Sequence, residues 1–261
     1  MSAEHPVRAT IDLNCDLGEG QTAEALAAEA AMIRLISSAN IACGQHAGDL
    51  ATMRNTVQLC REHQVAIGAH PGFADREGMG RREITLPSAT VRKLVLGQLQ
   101  TLETIVESAG GRMTHVKPHG ALYNMAARDR TLADLIAQTI AAFDPTLLLY
   151  GLAGSHLMTA GTAAGLVTVS EVFADRTYQA NGTLTPRSQP EGVILQPQRA
   201  AQQVLDMVQQ GMVQTMQGTT LAVCAETVCI HGDSPDAVTL ARMVRQALEA
   251  SGIQILPRER P

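Results

Sequence analysis

Short apolar runs alternate with longer amphipathic stretches from one end of this chain to the other. That alternation restricts the fold more than any other feature, because it is the pattern of βα units wound around a parallel sheet. The runs expected as strands are Arg8 to Asn14, Ser37 to Ala42, Val65 to Ala69, His115 to Lys117, Thr146 to Tyr150, Val167 to Glu171 and Ala222 to Ile230. Helix signals recur between them. Thr22 to Ile36 is periodic, Asp49 opens DLATMRNTVQLCREH, and Ser88 after Pro87 opens a stretch that stops at Gly110 and Gly111. Asp129 can cap a further helix, Pro197 suits the first turn of one ending near Gly211, and Ser234, Pro235 and Gly252 bracket the last. Seven such units in 261 residues, with no linker or break in composition, predict one (β/α) barrel domain over 1–261, TIM-barrel-like but one strand short of eight.

Nearly every expected strand ends, on its C-terminal side, in ionisable or small residues: DLNCDLGEG, ANIACGQHAGD, GAHPG, VKPHG, SEVFADR and CIHGD. Parallel α/β folds place their sites at that end of the strands. Side chains two apart share a strand face, so Asp12, Asn14 and Asp16 point one way and Ile11, Leu13 and Cys15 the other. Lys117 pairs with His119, and His231 with Asp233, by the same rule. If these polar faces look into the barrel they converge on one pocket; facing outward, they would bury unpartnered charge under helices at several kcal/mol each. Pro118 keeps Lys117 extended so that His119 follows on the same side, and Pro71 does the same for His70.

Net charge and residue types exclude other classes. A net charge of -5 and an aromatic content of 2% supply neither the basic field nor the stacking platforms of a nucleic-acid binder. The N-terminus MSAEHPVRAT has no signal-peptide pattern and no apolar run approaches the roughly 20 residues of a membrane span, so no membrane partner and a cytoplasmic location are expected. The five cysteines form no CxxC pair and read as small buried residues of a reducing compartment. There is no GxxxxGK[ST] loop, no GxGxxG after a strand and no HExxH.

Asp16, His46 and His70 come from three successive strands and match a divalent-metal ligand set in type, although their spacing alone does not define one. Asp49 reads equally as a helix N-cap or as a catalytic group. His115 shares the parity of Lys117 but lies deeper in its strand, and reads as a core histidine. Two long connections, 71–87 and 174–196, are candidate lids.

The stretches DLNCDLGEG, SANIACGQHAGD, GAHPGF, GRRE, VKPHGALYN, EVFADRTY and HGDSP, spread over residues 12–235, closely resemble the LamB/YcsF family, the A-subunit family of the prokaryotic ATP-dependent 5-oxoprolinase. Gln45 departs from the aromatic residue that usually precedes HAGD in that family. The resemblance implies a seven-stranded barrel related to glycoside hydrolase and deacetylase barrels. It also implies opening of 5-oxo-L-proline to L-glutamate with ATP, and B and C subunits as partners. ATP, with Mg or a site-bound divalent ion, is then the expected cofactor. On the polar clusters at the strand ends, Asp16, His46, Asp49, His70, Lys117, His119, His231 and Asp233 are candidate catalytic residues, and Asp12, Asn14, Glu19, Asn40, Glu171, Asp175 and Arg176 candidate substrate-binding residues. Replacing Lys117 by Met is expected to abolish activity with little loss of fold. The alternatives are a metal-dependent deacetylase or amide hydrolase working alone, and a non-catalytic substrate-binding subunit.

Overall fold

The computed structural model describes residues 9–232 and 236–259. In chain order its elements are β1 (Thr10–Leu17), α1 (Ala23–Ile33), β2 (Ser38–Ala42), α2 (Leu50–Glu62), β3 (Ala66–His70), α3 (Ser88–Ser108), β4 (His115–Val116), α4 (Gly120–Arg128) and α5 (Arg130–Phe143). They continue as β5 (Leu148–Leu152), α6 (His156–Ala163), β6 (Thr168–Phe173), α7 (Pro197–Leu205), β7 (Met212–Gln214), β8 (Thr220–Ala222), β9 (Thr227–His231), α8 (Ala237–Ala250) and β10 (Gln254–Ile255).

Strands β1 to β6 and β9 pair in parallel in that order, and β9 returns to β1 through Asp12↔Thr227 to Asp16↔His231, closing a seven-stranded barrel. β10 extends the N-terminal end of β1. The last barrel strand differs from the expected Ala222–Ile230. That stretch is divided because Met212–Gln214 turns back at Gly218 (φ 77) into an antiparallel hairpin with Thr220–Ala222, and the barrel strand begins only at Thr227. β1 starts and ends later than expected, so that Asp16 still lies in the ladder; Arg8 lies outside the described residues. β5 is likewise shifted, to 148–152.

Helix ends follow local chemistry. The carboxylate of Asp49 accepts from the Thr52 amide, and that of Asp129 from Thr131 and Leu132. Pro87, not Ser88, is the N-cap of α3, with no side-chain cap bond. α7 runs on as a π turn, Asp206–Gln210, stopped by Gly211 in the left-handed region (φ 66). Among the described residues, no helix is long and apolar enough to cross a membrane.

The main core lies between barrel and helices. Outward-facing Ile11, Leu13 and Cys15 are fully buried there, and α2, packed on β2 and β3, adds Met53, Val57 and Cys60 to the same core at helical spacing. Inside the barrel a small apolar floor of Leu148, Tyr150 and Val169 sits at one end. Above it the filling is polar. Gly68 makes that possible: a Cβ there would lie 2.1 Å from His115 Nε2, so only glycine leaves space for the imidazole inside the wall.

Candidate active site

The barrel interior is layered from the floor upward. At the bottom, Asp12 is fully buried and its carboxylate accepts from four hydroxyls: Ser37 (2.6 Å), Ser38 (2.7 Å), Thr227 (2.6 Å) and Tyr150 (2.9 Å). Burial still pushes its pKa up. His115 stacks on Tyr150, with ring centroids 4.3 Å apart, and donates from Nε2 to Asn40 Oδ1 (2.9 Å). Burial and the charge of Lys117 bring its pKa down to about 3, so it is neutral.

Lys117 forms the next layer. Its ammonium lies 2.9 Å from Asp16 Oδ1, 2.9 Å from Glu171 Oε1, 3.0 Å from Cys229 Sγ and 3.3 Å from Asn14 Oδ1. Burial opposes its charge, but the Asp16 and Glu171 carboxylates outweigh it and hold the pKa well above the lysine range. Burial likewise pushes the Cys229 thiol far up, against the opposing charge of Lys117. Glu171 is anchored below by Asn14 Nδ2 (3.0 Å) and Tyr123 Oη (2.7 Å). The three ammonium protons thus already have acceptors, of which sulfur is the weakest.

At the mouth stand Asp16, His70, His119, His46 and Glu19. Asn40 Nδ2 donates to Asp16 Oδ1 (2.9 Å), while Oδ2 faces His70 Nε2 at 3.2 Å. Burial disfavours charge on Asp16, yet His70 and Lys117 hold its carboxyl well below the usual range. His70 Nδ1 donates to the Lys117 carbonyl (2.7 Å) and His119 Nε2 to the Met79 carbonyl (2.7 Å). Burial, with His70 and His46 alongside, keeps His119 well below the imidazole range. His46 stacks on His119, centroids 3.8 Å apart, and burial lowers its pKa as well. Glu19 Oε1 stands 3.5 Å from His46 Nε2 and 3.4 Å from His119 Nδ1; burial works against its charge, but the neighbouring imidazoles outweigh it and bring its pKa down to about 2. On the far side, Asp175 accepts from His231 Nδ1 (2.9 Å), leaving Nε2 for other partners.

Both long connections meet this mouth. In 71–87, Gly72 and Gly80 press on His46 and His119 so closely that a Cβ would lie 2.6 Å from His46 Nδ1 or 2.8 Å from His46 Cβ. Connection 174–196 walls a cavity of about 610 Å³ into which Asp16, His70, Lys117, His119 and His231 face, with Arg81, Arg128, Arg176 and Arg187 at its rim.

The structure therefore brings Asp16, His46, His70, Lys117, His119 and His231 together, with Glu19 and Asp175 as direct partners. Asp12, Asn14, Asn40 and Glu171, expected to bind substrate, lie beneath the cavity and hold the lysine layer in place. Asp49 stands apart: it is exposed, caps α2 and accepts from Gln21 Nε2 (2.8 Å), so its carboxylate serves the helix end. Arg176 lines the cavity but donates from Nε to the Gly192 carbonyl (3.1 Å) and from Nη2 to the Thr185 carbonyl, so much of the guanidinium clamps its own loop. Burial and neighbouring Arg187 bring its pKa down to about 10. Asp233 lies outside the described residues. Sequence reasoning overlooked Cys229, Tyr123 and Arg187. Cys229 carried a usable signal, being two residues from His231 on the same strand face.

These features define a seven-stranded (β/α) barrel protein with a buried cluster of ionisable groups at the C-terminal mouth. The chain belongs to the LamB/YcsF family, whose model matches residues 11–261. It is 52% identical over 249 residues to the 5-oxoprolinase A subunit of Brevibacillus brevis, covering 95% of this chain and 98% of that one. It is 53% identical over 246 residues to the same-named protein of Geobacillus kaustophilus, covering 94% and 96%. The crystal structure of a lactam utilization protein from Thermus thermophilus superposes with a TM-score of 0.88 at 43% identity, covering 95% of this chain and 99% of that one. An uncharacterized protein from Agrobacterium tumefaciens, at 12% identity and TM-score 0.57, covering 97% and 89%, shares the fold.

Proposed function

We propose that this chain opens 5-oxo-L-proline to L-glutamate in an ATP-dependent reaction, as the cytoplasmic A subunit of a complex with B and C subunits. The observation that carries this reading is the cavity: one buried lysine, an acid and three imidazoles at its base, and arginines at its rim. Such a lining suits a small anionic amide, with the rim cations placed for a carboxylate or phosphate. The names of the similar proteins supply the particular amide.

A five-membered lactam resists water because its carbonyl is resonance-stabilised. Phosphoryl transfer from ATP, with its Mg ion, to the lactam oxygen makes the ring carbon electrophilic. Water then adds, the C–N bond breaks as the nitrogen takes up a proton, and a second water releases phosphate from the acyl phosphate. Lys117, in the cavity lining, would hold the negative charge of the phosphoryl group carried by the activated lactam, displacing the weak Cys229 contact. His231, held by Asp175, is oriented to give the ring nitrogen its proton, and Asp16 or His119 to take one from water.

The test mixes the purified chain, 5-oxoproline and Mg-ATP with and without the B and C subunits, and measures glutamate and ADP. Glutamate in equal amount with ADP, only in the complete mixture, is expected; none in the complete mixture overturns the reading. The grouping of Asp16, His70 and His119 favours a second reading, a metal-dependent amide hydrolase acting alone. Glutamate or another amine released by the isolated chain without ATP would establish it.

A further inference from the structure

His70, His119 and Asp16, of which the reaction above uses Asp16 or His119 as a base and which the second reading groups around a metal, pose a hydrogen-bonding problem whose solution deepens that second reading. Carbonyl oxygens only accept, so the Lys117 carbonyl places a proton on His70 Nδ1 and the Met79 carbonyl places one on His119 Nε2. In neutral rings the remaining nitrogens, His70 Nε2 and His119 Nδ1, both carry lone pairs, and they face each other at 2.9 Å. The third atom there, Asp16 Oδ2, is also an acceptor, 3.2 Å from His70 Nε2. The other Asp16 oxygen is already taken by Lys117 and Asn40. With both rings neutral, three acceptors thus converge with no donor between them.

We propose that Asp16 Oδ2, His70 Nε2 and His119 Nδ1 bind one divalent transition-metal ion. The spacing fits. Ligand atoms about 2.1 Å from an ion stand about 3.0 Å apart at right angles and about 3.4 Å apart at tetrahedral angles. The two observed separations, 2.9 and 3.2 Å, lie at or near that range, and all three atoms are within 4.8 Å of one another. Two imidazoles and one carboxylate select manganese, iron, cobalt or zinc over magnesium or calcium. The backbone bonds on the far ring nitrogens are the contacts that orient metal-binding histidines.

A second observation points to the same place. Glu19 Oε1 and both ring nitrogens of His46 are buried without a hydrogen-bond partner among the described residues. Glu19 Oε1 stands 3.4 Å from His119 Nδ1 and 3.5 Å from His46 Nε2. These unpartnered atoms, two acceptors and one N–H donor when His46 is neutral, adjoin the triad through His119, where an ion and its water would satisfy them. The competing arrangement is a proton on His70 Nε2. A single N–H can be directed at His119 or at Asp16, not well at both.

The experiment uses the chelator-treated full chain, without substrate or partners, so its outcome is separate from that of the glutamate assay. Mn²⁺, Co²⁺ and Zn²⁺ are titrated calorimetrically, and the Co²⁺ form is examined by absorption. One ion per chain is expected, with a Co²⁺ spectrum lacking a thiolate charge-transfer band. His70→Asn and His119→Asn, checked for folding by circular dichroism, are expected to weaken binding at least about 100-fold. Absence of stoichiometric binding by the unaltered chain overturns the proposal in favour of the shared proton. A thiolate band overturns it in favour of the neighbouring Asp16, Cys229 and His231 group. Undiminished affinity in a folded His70→Asn chain also overturns it.

Discussion

Replacing Lys117 by Met tests how the barrel interior is held together. The ammonium is only 2% exposed and sits 2.9 Å from both Asp16 and Glu171. Methionine fills the space but strands two carboxylates, and removing one partner of a buried ion pair costs about 3–5 kcal/mol. A chain of this size loses about 2–4 °C per kcal/mol, so the midpoint of thermal unfolding is expected to fall by roughly 6–20 °C. By this estimate the change costs more stability than the little loss of fold expected from sequence. Melting curves of parent and variant followed by circular dichroism at neutral pH measure it. A gap under about 2 °C would refute the claim that Lys117 neutralises buried charge.

Gly68→Ala puts a Cβ 2.1 Å from His115 Nε2; a loss of about 1–3 kcal/mol is expected in thermal melts, and much less when the same change is made in a His115→Ala background. Asp49→Ala removes an exposed N-cap, so denaturant unfolding should show a loss of about 1 kcal/mol while kcat/KM of the assembled complex stays within about two-fold. Glu29 accepts from the Gly18 amide and Thr56, and burial raises its pKa despite both bonds. A carboxyl with a raised folded pKa favours the folded state less as pH climbs from its unfolded to its folded value. Glu29→Gln should therefore flatten the fall in melting temperature over that interval, and an unchanged slope would remove Glu29 as its source.

The barrel was legible because its information is local and periodic. Apolar runs, capping residues such as Asp129 and the proline of VKPHG each act within a few positions. The polar parity of Asp12, Asn14 and Asp16 was equally visible, and it places all three inside the barrel wall, where their partners lie. What escaped depends on depth along the barrel axis, which parity does not encode. Asp12 and Asp16 share a face, yet one lies on the floor among hydroxyls and the other faces the cavity. Asp49 was ambiguous for a related reason: an N-cap and a catalytic acid use the same residue type at the same helix start, and only the burial of the carboxylate separates them. The hairpin at 212–222 was missed because its second strand runs almost without a break into Val223 and the barrel strand beyond.

Most barrels of this kind fill their interior with branched aliphatic side chains in layers. Here three aliphatic or aromatic residues make a floor, and above it buried polar groups occupy the axis. Such a filling is tolerable only when nearly every group has a partner, since each unsatisfied one costs about 1–3 kcal/mol. Asp12 with four hydroxyl donors and Lys117 with its acceptors meet that condition. Among the described residues along the axis, the condition fails at Glu19 and His46, beside the close approach of His70 Nε2 and His119 Nδ1. A network that is complete below and incomplete at one point above holds its uppermost side chains rigidly and leaves their unsatisfied atoms pointed at whatever enters. The lower layers thus set the orientation of Asp16, His70 and Lys117 before any ligand arrives, and the free energy still to be gained is concentrated at the mouth.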